Sequence, residues 1–255
     1  TVPLTLSTFT VSASADGDTE LTTVRDVDII LDYSGTGTCA AYEVSEDAGF
    51  RQDAATIYDN CATGGGHFTL SAGDGRKVLY ARVIDEAGNR SDVLTAEIEL
   101  DTIDPELTGI SLTSSADADG AFSNSYDVQM RLAGIAGGTR ILYRLYDTFR
   151  TCPNINQLNQ EDALSSAVIV SFGSEGSKTV CAAITDEAGN GSAVRRATIT
   201  IDTVPPTEPS LTPDALAGVN AVCANITPSD VQDENFWKFE YRKLGEQWTE
   251  SLTAI

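Results

Sequence analysis

Apolar and polar residues alternate with a period of two along most of this chain. The run Leu94-Thr95-Ala96-Glu97-Ile98-Glu99-Leu100 and the run Ala197-Thr198-Ile199-Thr200-Ile201 show it most clearly. Successive side chains on a β-strand point to opposite faces, so this alternation predicts half-buried strands. It places strands near 4–12, 24–33, 38–46, 55–59, 66–72, 77–85 and 93–101. A second set falls near 106–114, 126–133, 139–147, 166–172, 177–186 and 194–202. Clusters of Gly, Asp, Asn and Ser separate them, and Gly64-Gly65-Gly66 is expected to be a turn. No segment carries a helical stripe, although 157–165 has room for one turn. About seven short strands per hundred residues, with turns every 8–12, is the arithmetic of a two-sheet sandwich.

The two sets are copies. Asp85-Glu86-Ala87-Gly88-Asn89 returns 101 residues later as Asp186-Glu187-Ala188-Gly189-Asn190. Asp101-Thr102-Ile103-Asp104-Pro105 returns as Asp202-Thr203-Val204-Pro205-Pro206, and Lys77-Val78 answers Lys178-Thr179. A period this long is too great for a solenoid and suits a string of small domains. The expected units are 1–102, 103–203 and 204–255. In the third, Val222, Ala224 and Ile226 read as the second strand, and Trp237 to Arg242 as the third. Half a sandwich would expose a sheet edge, so the protein is expected to continue past Ile255, or else another chain donates a strand. The opening Thr1-Val2-Pro3, with no initiator Met and no apolar leader, reads as that of a processed or excised piece.

Sixteen Lys and Arg stand against 38 Asp and Glu, for a net charge of −22 and a pI near 4.1. Such a chain repels nucleic acid and anionic membrane, which sets both aside as partners. No run of apolar residues is long enough to span a bilayer. The acidity serves solubility, or it supplies carboxylates for a hard cation.

Lys77 through Ser91, closing on Leu100-Asp101-Thr102-Ile103-Asp104-Pro105, resembles the tandem bacterial Ig-like domains of large surface proteins and adhesins. The resemblance covers both full repeats and, weakly, the third. It implies an all-β chain of Ig-like sandwiches arranged end to end, outside the cell, as spacer or adhesive. It also implies Ca²⁺ at domain junctions. Paired cysteines are less usual in that group.

Two readings of the recurrent phrase stay open. In one, Asp85 and Asn89 close a tight turn, with Gly88 at positive φ, and no ligand is needed. In the other, sandwich topology brings three groups to the junction of units one and two. These are Asp16 and Asp18, then Asp101 and Asp104 of the linker, then Asp186, Glu187 and Asn190. A Ca²⁺ ion takes six to eight oxygens and would relieve their repulsion. The equivalent set at the next junction is Asp117, Asp119 and Asp202. Prolines fix φ in both linkers, so the units are expected to form a semi-rigid rod.

The five cysteines are spread singly, with no CxxC, and only one histidine is present, so a zinc site is not expected. Pairing within units gives Cys39–Cys61 and Cys152–Cys181 and leaves Cys223 for a partner in the rest of unit three. Such bridges belong to an oxidising compartment. His67, beside the glycines, reads as structural and partly exposed. With one histidine, a Ser/His/Asp engine has little to draw on. Trp237 and Trp248 are the one hint of a carbohydrate-facing surface. The reading is a non-enzymatic stalk or adhesive module whose partners are neighbouring Ig-like domains and an unknown surface protein or glycan. The alternatives are accessory modules of a secreted enzyme, or a polymerising subunit completed by strand donation.

Overall fold

The computed structural model describes residues 4–15, 17–51, 55–59, 61, 65–114 and 120–207, and four short strands beyond them. Asp16, Asp117, Asp119, Gly64, Val222, Trp237 and Trp248 lie outside the described residues.

Eight strands make the first sandwich: β1 (Thr5–Ala13), β2 (Leu21–Thr22), β3 (Asp26–Ser34), β4 (Cys39–Ser45), β5 (Ala55–Tyr58), β6 (Gly65–Thr69), β7 (Gly75–Asp85) and β8 (Leu94–Leu100). One sheet has the order β1-β3-β6, the other β2-β8-β7-β4-β5. Eight more follow: β9 (Glu106–Ser114), β10 (Phe122–Ser123), β11 (Asp127–Ala136), β12 (Arg140–Tyr146), β13 (Gln160–Ala163), β14 (Ala167–Ser171), β15 (Gly176–Thr185) and β16 (Arg195–Ile201). Their sheets run β14-β11-β9 and β10-β16-β15-β12-β13, which is the same topology copied. The chain is all-β, a tandem of Ig-like sandwiches.

Alternation fills the space between each pair of sheets. Val27, Ile29 and Leu31 of β3 point inward opposite Leu79, Ala81 and Val83 of β7, all but sealed from solvent. Val128, Met130 and Leu132 do the same against Val180, Ala182 and Ile184. Each core is closed by its own residues, as a separate hydrophobic cluster. β15 breaks the alternation, being buried on both faces from Lys178 to Ile184. Its outer face is covered by Cys152, Ile155 and Leu158, which pack on Cys181 and Ala183.

Both expected disulfides are present, Cys39–Cys61 and Cys152–Cys181. Cys223 opens β18 (Cys223–Ile226), which pairs with β17 (Leu211–Asp214). β19 (Phe239–Tyr241) pairs with β20 (Thr249–Ser251), within the stretch expected as a third strand.

Two expectations need correction. Gly65 and Gly66 are not a turn but the head of β6, paired with Ile30 and Ile29. The reason is close approach: a Cβ on Gly65 would meet the Ile29 carbonyl oxygen at 2.6 Å, and one on Gly66 would meet Tyr58 Cε1 at 3.0 Å. His67 is therefore the third residue of that strand, exposed, with Nδ1 2.6 Å from Asp28 Oδ1. Within 157–165 the residues Gln160–Ala163 form the edge strand β13, and a 3-10 turn precedes them at Ile155–Gln157. The two-residue strands β2 and β10 were too short to show an alternation.

Candidate functional site

The recurrent acidic phrase forms the same closed turn twice. Asp85 is the last residue of β7, the chain reverses direction after it, and its carboxylate takes up the reversal. Asn89 donates its backbone N–H to Asp85 Oδ1 at 2.8 Å and its side-chain amide to Oδ2 at 2.9 Å. The Asp85 carbonyl accepts from Gly88 N–H, and Asp85 N–H donates to the Asn89 carbonyl. Gly88 sits at φ 82°, a region costly for any side chain. The Asn89 side chain and N–H hold the Asp85 carboxyl below the usual carboxylate range. In the second copy Asn190 makes the same two bonds to Asp186, at 2.9 and 3.0 Å, with Gly189 at φ 94°. The turn is complete without a ligand.

The linker phrase is equally self-supporting. Asp101 N–H donates to the Thr22 carbonyl, which extends the parallel pairing of β2 with β8. Its carboxylate accepts the Ile103 N–H at 3.0 Å, a two-residue turn that only a short side chain can make. Thr102 Oγ1 donates to Asp74 Oδ1 at 2.9 Å, on the turn that leads from β6 into β7. The second linker repeats each step. Asp202 N–H goes to the Ser123 carbonyl, Val204 N–H to Asp202 Oδ1 at 3.2 Å, and Thr203 Oγ1 to Glu175. Asp74 and Glu175 were not singled out in the sequence, although they stand in register 101 residues apart.

One bond joins these two devices. Asn190 Nδ2 also donates to the Asp101 carbonyl at 2.9 Å. Asp101 therefore gives its N–H to the first sandwich, its carboxylate to the linker and its carbonyl to the second sandwich. Beside this bond lies a cleft of about 340 Å³, with Asp18, Leu21 and Thr22 on one wall and Arg140, Asp186 and Glu187 on the other.

No family model matches the sequence, and neither does any curated protein. Among solved structures the chain is similar to the fibronectin(III)-like modules of Clostridium thermocellum CbhA. That match has 13% identity, spans 78% of this chain and 94% of that one, and has a TM-score of 0.44. It is also similar to domains FN1–FN3 of chicken CNTN1, at 12% identity over 71% of this chain and 64% of that one, with a TM-score of 0.45. Nothing about binding passes from either to this chain.

Of the residues expected at the seam, Asn190 bonds both Asp101 and Asp186, and Asp18 and Glu187 share the cleft. Asp104 is exposed on the linker. The carboxylates of Asp18, Asp101, Asp186 and Asp202 each accept backbone N–H bonds. Among the described residues no three of His, Cys, Asp and Glu come together in a way that could hold a metal ion. What the site does chemically is hydrogen-bond one sandwich to the next.

Proposed function

We propose that this chain is a non-catalytic structural module of an extracellular surface protein, built from units 1–102, 103–203 and 204–255 set end to end as a stiff stalk. The observation that carries the reading is the threefold use of Asp101. A residue bonded to both sandwiches and to its own linker removes the freedom a spacer must not have. Pro105, buried at the start of the second sandwich, and Pro205-Pro206 restrict the linkers further. Two disulfides support an oxidising, extracellular setting, and among the described residues no helix is long and apolar enough to cross a membrane. An adhesive end, facing a surface protein or glycan, is part of the proposal and lies outside what the seam itself supports.

Small-angle X-ray scattering tests it. The wild-type chain should show a narrow distribution of distances between the first two units. Asn190→Ala removes two side-chain bonds, to the Asp101 carbonyl and to Asp186, each worth about 1 kcal/mol, and should broaden that distribution while both sandwiches stay folded by circular dichroism. An unchanged distribution would show that the seam is not what sets the geometry.

A further inference from the structure

Asn89 and Asn190 occupy the same place in the same turn, yet one is buried and the other exposed. A primary amide carries two N–H donors. In both residues one of them goes to the turn's own aspartate. At Asn190 the other meets the Asp101 carbonyl. At Asn89 the other has no partner among the described residues. The first sandwich thus presents, at its entry end, the socket that the second uses to hold a linker.

Register supplies the occupant. Thr1-Val2-Pro3 stands 101 residues before Thr102-Ile103-Asp104 and 202 before Thr203-Val204-Pro205. Leu4 falls in the register of Pro105, and both are buried. A Cβ on Gly37 would lie 3.5 Å from Leu4 Cγ, and one on Gly137, a residue before the counterpart of Gly37, would lie 3.6 Å from Pro105 Cα. The chain therefore enters the first sandwich along the path by which the linker enters the second. We infer that Asn89 docks the linker of a further sandwich placed before Thr1 in the same polypeptide, through the backbone carbonyl of the residue in the register of Asp101. This rests on the seam reading proposed above.

The test extends the chain with a copy of residues 103–202 joined directly to Thr1, so that Asp202 of the copy precedes Thr1. Side-chain amide exchange is then followed by NMR in the extended and the original chain. In the extended chain the Asn89 amide protons should exchange about tenfold more slowly than in the original, approaching those of Asn190. Extension by Ala197–Asp202 alone carries the same carbonyl without the copied core, and should slow Asn89 by about threefold. Unchanged exchange at Asn89, with Asn190 still protected, would overturn the inference and leave the seam reading standing. Fast exchange at both would overturn the seam reading itself. Protection of Asn89 in the original chain that grows with concentration would assign the socket to a second copy and also overturn the inference.

Discussion

Lys178 is a charged side chain with no exposed surface, and its ammonium donors are all met. Nζ donates to Asp147 Oδ1 at 3.1 Å, Ser174 Oγ at 2.7 Å and the Glu175 carbonyl at 3.0 Å. Its stem is buried beside the second core while the head reaches the polar end of the sheet, as long cations do at a boundary. Asp147, mostly exposed, is held below the usual carboxylate range by Lys178 and Ser174. The two sides of this pair differ in consequence. Lys178→Met keeps the packing and leaves the three acceptors to water, so it should cost less than about 1 kcal/mol. Lys178→Ala removes the stem and should cost about 3 kcal/mol. Urea denaturation separates them, and equal losses would mean that the ammonium, not the stem, stabilises the fold. In the sequence this lysine was only an alignment landmark. Nothing local showed that its acceptors would come from residues 147 and 174–175, on either side of β13 and β14.

At the scale of the element, the glycines of the first sandwich do two different jobs. Gly88 has open space where a Cβ would go and needs only its positive φ. Gly88→Ala should therefore cost about 1 kcal/mol of backbone strain and leave the turn in place. Gly65→Ala would drive a Cβ into the Ile29 carbonyl oxygen, so β6 must shift. Its loss of thermal stability should be clearly the larger, and equal shifts would show that β6 moves freely. The disulfides act on elements too. Cys39–Cys61 ties the head of β4 to the segment after β5, and Cys152–Cys181 ties the outer cover to β15, over separations of 22 and 29 residues. By the chain-entropy argument each contributes about 3 kcal/mol. Melting with and without a reductant should show a drop of several degrees, and no drop would mean that neither loop is loose in the unfolded chain. Strand positions and the cysteine pairing within units were legible because alternation and single cysteines are local signals, and the closed turn was one of the two readings the sequence left open. The glycine turn was misread because a close backbone approach and a positive φ both select glycine, and only the partner strand distinguishes them.

For the whole molecule, the 101-residue period made the copying of the sandwich plain before any coordinates. The period also put Asp101 and Asn190 at the same seam. What it could not show is that the carboxylates there, of Asp18, Asp101 and Asp186, already accept backbone N–H bonds. A cluster of acids in sequence looks the same whether it awaits a cation or folds back on its own turns. Calcium titration distinguishes the two. From the described residues, millimolar Ca²⁺ should leave the melting temperature unchanged. A rise abolished by Asp16→Asn would instead show that Asp16 completes a site with Asp18 and Glu187.

The parallel pairing of β2 with β8 has a mechanical consequence. Leu21 faces Glu99 and Thr22 faces Leu100, and the exit of the sandwich runs directly on from β8. Tension along the polypeptide would load these bonds side by side, in shear, so they must break together. An antiparallel hairpin pulled from its open end would unzip one bond at a time. The same pairing recurs between β10 and β16. A two-residue strand is thus the catch that each unit puts in the path of a pulling force.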